Sequence, residues 1–129
     1  MSETFSANDE LDLSGEGLQP TTANFMIVDA DFVTTDDGTR WEATLEPVGQ
    51  EIEGLYNNQV KDSGYWTHGS REDLVRYGRG GLRRLARAAI GRDAGFTLAD
   101  LRGQIVSGTV SEDDRGYTRI KKVGSPLKD

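Results

Sequence analysis

Residues 98–123 read LADLRGQIVSGTVSEDDRGYTRIKKV, and the parsing of this stretch decides the fold. A short helical turn leads into residues 104–110, a β-branched run punctuated by glycine. Glu112, Asp113, Asp114 and Gly116 then form a polar cluster of the kind that joins hairpin strands. The return strand, residues 117–123, carries Arg119, Lys121 and Lys122. Strand side chains alternate between faces, so Tyr117, Arg119 and Lys121 share one side while Thr118, Ile120 and Lys122 share the other. One aromatic ring with two cations on a sheet face can stack a base and hold phosphates. An ordinary exposed strand has the same pattern.

Upstream of this hairpin, residues 70–91 predict a helix. Ser70 and Asp73 have the spacing of an N-terminal cap, Glu72 adds negative charge to the first turn, and Gly91 ends it. Leu74, Gly78, Gly81, Leu82, Leu85 and Ala89 fall on one side at helical spacing. Arg76, Arg79, Arg83 and Arg87 fall on the other, as a phosphate-binding stripe or a solvated face. Three glycines at 78, 80 and 81 either break the first turns into a separate helix or permit close packing. After the helix, Thr97 and Asp100 repeat the cap spacing.

Further upstream the period is two. FMIVDADFV at 25–33 is a first strand, and the Asp37-Gly38 pair marks a hairpin turn. RWEATLEPV at 40–48 is a second, with Trp41, Ala43 and Leu45 alternating against Glu42, Thr44 and Glu46. LYNNQVKDSGYWT at 55–67 is a third, interrupted by a bulge or bend at Ser63 and Gly64. Tyr56, Tyr65 and Trp66 are interleaved with Lys61, which suits base stacking on a single strand and equally suits the closing of a small core. Trp41 is open to the same two placements, core or ligand-facing.

Five strands with a helix between the third and fourth is the order of the OB-fold, a mainly β, five-stranded, partly open barrel. Ligand in that fold lies across strands two and three, flanked by the loops joining strands one to two and four to five. That arrangement selects Arg40, Trp41, Lys61, Tyr65 and Trp66 from the sheet and Arg115 and Tyr117 from the last hairpin, to which the shared strand face adds Arg119 and Lys121.

Composition bounds the rest. A chain of 129 residues with 16 glycines suits one turn-rich domain, set here at residues 24–124, with short tails at 1–23 and 125–129. The N-terminal tail is acidic and sparse in apolar residues, so disorder is expected there. No apolar run is long enough for a membrane helix, no signal peptide is visible, and the absence of cysteine fits a cytoplasmic protein. The net charge of −7 is unevenly spread: residues 1–62 hold 14 acidic and 2 basic side chains, and residues 63–129 hold 8 and 13. An acidic arm beside a basic binding surface is one reading of that asymmetry.

The strands NFMIVDADFVTTDDGTRWEATLEPV, the helix RGGLRRLARAAIG and the stretch TLADLRGQIVSGTVSEDDRGYTRIKKV together resemble small phage-encoded single-stranded-DNA-binding proteins of the OB type. The shared features are a first strand ending in D-A-x-F, a W-x-x-x-L strand, a leucine-bearing helix, an L-x-G-x-x-V strand and a basic last strand. The resemblance implies sequence-tolerant binding of single-stranded DNA in phage replication or recombination, within the host cytoplasm. A replication or recombination protein would meet the acidic N-terminal tail, and homo-oligomers are compatible with it. The acidic segment lies at the N-terminus here, whereas bacterial single-strand-binding proteins carry theirs at the C-terminus. An alternative expectation is a protein-interaction adaptor, with the same barrel and an acidic docking tail.

No catalytic signature accompanies the fold. There is no phosphate-binding loop with its Lys-Ser/Thr, no Ser-His-Asp or Cys-His set, and one histidine only. The aspartates at 29, 31, 36, 37, 113 and 114 fall mostly in turns, where Asp is favoured for backbone reasons. The expectation is therefore no enzyme, no cofactor and no metal.

Overall fold

Alternate side chains of three long strands point into one interior. The structure is a computed structural model and describes residues 18–128. Its elements are β1 (Thr21–Thr34), β2 (Gly38–Pro47), β3 (Val60–His68), α1 (Glu72–Ile90), β4 (Ile105–Glu112) and β5 (Thr118–Gly124). Short 3-10 turns occur at Tyr56–Asn58 and Leu98–Leu101. The strands form one antiparallel sheet in the order β3-β2-β1-β4-β5, with β3 and β5 brought near each other beneath α1. The result is a nearly closed, OB-like barrel with its helix between the third and fourth strands.

The interior is built from the inward phase of each strand. Ala23, Phe25 and Ile27 of β1 meet Trp41, Ala43 and Leu45 of β2, with Val106 and Val110 of β4 alongside. Leu82, Leu85 and Ala86 of α1 plug this core, and Leu98 and Leu101 complete it. Gly64 of β3 and Gly78 of α1 let the helix lie directly on the strand. A Cβ at Gly78 would stand 2.4 Å from the backbone N and O of Tyr65. The buried Trp41 indole closes the contact by donating from Nε1 to the Gly78 carbonyl at 2.8 Å.

Several sequence expectations move. β1 begins at Thr21, and Leu18 is buried with its N–H donated to Glu112 at 3.0 Å. The domain thus starts ahead of residue 24, and residues 1–17 of the expected tail lie outside the described residues. At the other end, Leu127 exchanges two hydrogen bonds with the Asn24 side chain, at 2.7 and 3.1 Å, so the segment after residue 124 is held against β1. The irregularity of β3 lies not at Ser63 and Gly64 but at Trp66, because Thr39 faces Thr67 while Arg40 faces Tyr65. The helix is continuous through its glycines and starts at Glu72 without the expected Ser70 cap. His68 Nδ1 takes the N–H groups of Ser70 and Arg71 instead, and Asp73 pairs with Arg71. Gly91 ends the helix in the left-handed conformation, φ 73°, as expected. The Thr97–Asp100 cap is also present, the Asp100 carboxylate accepting the Thr97 N–H at 2.9 Å.

Candidate nucleic-acid interface

The bulge at Trp66 splits two adjacent aromatics between different surroundings. Tyr65 points to the outer face, where the Arg40 guanidinium lies 4.7 Å from its ring centroid and His68 meets it edge-on at 4.7 Å. Arg40 is held there by a 2.7 Å bond to the Ser63 hydroxyl. Trp66 turns toward the end of the barrel. Its ring lies 6.0 Å from Phe32 of β1, and the Arg79 guanidinium of α1 lies over it at 4.2 Å. Arg79 is oriented by two bonds to the Trp66 carbonyl, at 3.0 and 2.9 Å. Trp66 stays 36% exposed and Phe32 46% exposed, so both offer ring surface to a ligand. Beside them, Leu82, Phe96 and Leu98 line a cleft of about 460 Å³.

A second aromatic–cation pair lies at the β4–β5 hairpin. Tyr117 is 61% exposed at the foot of β5, with Arg119 at 5.9 Å from its ring. Asp113 organises this turn. Its carboxylate accepts the N–H groups of Arg115 and Tyr117 at 2.9 Å and pairs with Arg119 at 3.1 Å. Those contacts, the Tyr117 N–H first, hold its carboxyl below the usual range. Arg115 is exposed at the tip.

The expected site residues therefore separate into five places, one of them the core. Arg40, Tyr65 and Trp66 gather at the end of β3. Lys61 is exposed on the outer face of β3, opposite Thr44. Arg115, Tyr117 and Arg119 form the hairpin group, while Lys121 lines a cavity under α1. Trp41 requires correction: it is 1% exposed and belongs to the core, so it has no face to stack a base. The inward phase of β2 puts it there.

Two contributors were missed. Arg79 belongs to the stripe that helical spacing left open as phosphate-binding or solvated, and its approach to Trp66 depends on α1 seating at Gly64. Phe32 is in phase with inward Ala30 and pairs opposite Trp41 in the β1–β2 ladder, yet its ring stays 46% exposed. The stripe itself is only partly free, since Arg83 and Arg87 both engage Asp93.

Charge limits where phosphate can run. The outer face of β1 and β2 carries Asp29, Asp31, Glu42 and Glu46, and Arg102 reaches Asp29 and Asp31 at 3.4 and 3.8 Å. A phosphate backbone is repelled from the middle of that face and favoured at the arginine-bearing ends. Among the described residues, no three His, Cys, Asp or Glu side chains converge on a metal-sized site, and no helix is long and apolar enough to cross a membrane.

No protein-family model matches the chain, and no curated protein matches its sequence.

Proposed function

We propose that this protein is a non-catalytic, sequence-tolerant single-stranded-DNA-binding module. The observation that carries it is the pair of neighbouring aromatics on β3, Tyr65 and Trp66, each with its own arginine. Rings take bases of any sequence, and the adjoining guanidinium groups meet the phosphates between them. The Tyr117–Arg119 pair at the hairpin extends the track. In OB barrels the loop joining strands four and five flanks the ligand, which supports the same placement. A phage replication or recombination setting, and a cytoplasmic one, follow from the resemblance of strand and helix patterns described above.

The test is a fluorescence-anisotropy titration of a labelled single-stranded oligonucleotide, with the matching duplex as control, at two salt concentrations. Preference for the single strand is expected, with log affinity falling against log salt by about 0.7 for each phosphate neutralised. Absence of binding to either form at low salt overturns the proposal. It would favour the adaptor, whose basic partner the acidic row Asp29, Asp31, Glu42 and Glu46 suits.

A further inference from the structure

The sheet is unpaired between β3 and β5, and α1 roofs that seam to leave a cavity of about 260 Å³. Its lining includes Asp62 of β3, Tyr77 and Arg84 of α1, and Lys121 and Lys122 of β5. None of the three cations is held in a close ion pair among the described residues. Arg71, Arg83, Arg87, Arg102 and Arg119 are all in ion pairs, whereas Arg84, Lys121 and Lys122 have neither an ion pair nor a side-chain hydrogen bond among the described residues. Asp62 accepts one hydrogen bond, from the Ser63 N–H at 3.1 Å, and feels the Arg84 charge without a close ion pair.

The backbone is bent to build this arrangement. Consecutive strand residues ordinarily face opposite sides. Lys122 instead adopts a left-handed φ of 55°, where β5 slips register against β4, and both lysines reach the cavity. A left-handed conformation in a non-glycine strand residue is strained, and such strain concentrates at sites of function.

We infer that this cavity binds a tetrahedral oxyanion of the phosphate class and takes up a proton on Asp62 as it does so. Three cations around one small cavity supply the charge such an anion needs. Burial pushes the Asp62 carboxyl up to about 6, against the lowering effects of the Ser63 N–H and the Arg84 charge. An anion entering beside it raises the carboxyl further, and the protonated group becomes a donor to the anion. The charged or titratable groups that line the cavity with Asp62 are Tyr77 and Arg84 from α1 and Lys121 and Lys122 from β5, and of these Arg84 acts on its charge. Its β2 neighbour, Ala43, brings no charge. Affinity is therefore highest below pH 6 and falls as pH rises through it.

The experiment is an amide-resonance titration of the full chain with sodium sulfate, a probe that does not itself titrate here, against sodium chloride at matched ionic strength. Saturable shifts are expected at residues 62–63, 84 and 121–123. From the protonated fractions of a group titrating at 6, affinity falls about thirty-fold between pH 5 and pH 7.5. Asp62→Asn is expected to bind equally at both pH values, and Arg84→Gln to lose binding at both. A 5′-phosphorylated oligonucleotide is compared with its unphosphorylated form and with inorganic phosphate. Cavity shifts that need the phosphorylated end identify a strand terminus as the source, and shifts with inorganic phosphate alone identify a free ion. Sulfate shifts no larger than those of chloride, or a pH dependence unchanged in Asp62→Asn, overturn the inference.

Discussion

Alanine at Gly78 is expected to lift the helix off the barrel, while alanine two residues later strengthens it. An ideal Cβ on Gly78 would lie 2.4 Å from both N and O of Tyr65 and 2.9 Å from the Gly64 carbonyl carbon. Nonbonded carbon contacts settle near 3.5–4.0 Å and backbone atoms cannot swing aside, so α1 must retreat by about 1 Å. Overpacking of this kind costs about 1–3 kcal/mol. The retreat also draws the Gly78 carbonyl from the buried Trp41 indole, now 2.8 Å away, and an unsatisfied buried donor costs about 1–3 kcal/mol more. Helix propensity returns about 1 kcal/mol. The net loss is about 3 kcal/mol, a large share of a typical stability of about 5–15 kcal/mol. At Gly80 the nearest obstacle is the tip of the flexible Arg84 side chain, 3.7 Å away. Gly80→Ala is therefore expected to gain about 1 kcal/mol. The assay is urea denaturation of both variants, followed by tryptophan fluorescence, with Trp41 as the buried reporter. Gly78→Ala as stable as the parent, or the two alanines shifting stability alike, would refute the packing argument.

Trp66→Ala and Tyr117→Ala should each weaken single-strand binding by about 1–3 kcal/mol in an anisotropy titration. Both leave the urea midpoint nearly unchanged, whereas Trp41→Ala unfolds the domain more easily by about 3–5 kcal/mol. Asp62 sets a pH dependence of stability with an unusual sign. Its carboxyl is raised from 3.8 to about 6, so the folded state binds a proton that the unfolded chain releases between those values. Stability is greatest at the low end and falls by at most about 3 kcal/mol as pH rises through 6. Urea midpoints of the parent and Asp62→Asn across that window check it, since the variant should lack this slope. Asp73 and Asp113 are held low and act in the opposite sense below 3.8, outside the window. Asp113→Asn removes a charge-assisted clamp on the β4–β5 turn. Hydrogen exchange of the Arg115 and Tyr117 amides is expected to quicken while that of α1 does not change.

Local pattern reaches a long way into this chain. The period-two run from Trp41 to Leu45 places those side chains inside, as found, because a strand's alternation needs only its own residues. Gly91 and the Thr97–Asp100 pair stop and start helices through bonds spanning a few residues, and both features are present. Ser70 does not cap the helix: its own N–H and that of Arg71 are drawn back to the His68 ring, and the helix begins one residue later than the cap spacing requires, with Arg71 at the cap position. The start of β1 was missed because residues 18–24 look polar in isolation, yet Leu18 and Ala23 are buried against the rest of the fold.

The succession of five strands and one helix, the inward phase of most of them, and the residue types available for binding are all legible in the linear order of residues. Which arginine meets which ring is settled by folding alone. Arg40, Tyr65 and Arg79 are distant in the chain, and their meeting depends on register. Bulges beside Val28 and at Trp66 each slip that register by one residue, sending Tyr65 and Trp66 to different surroundings. The seam cavity has the same origin. It exists because β3 and β5 stay unpaired and Lys122 takes a left-handed turn, and neither event leaves a mark in local periodicity.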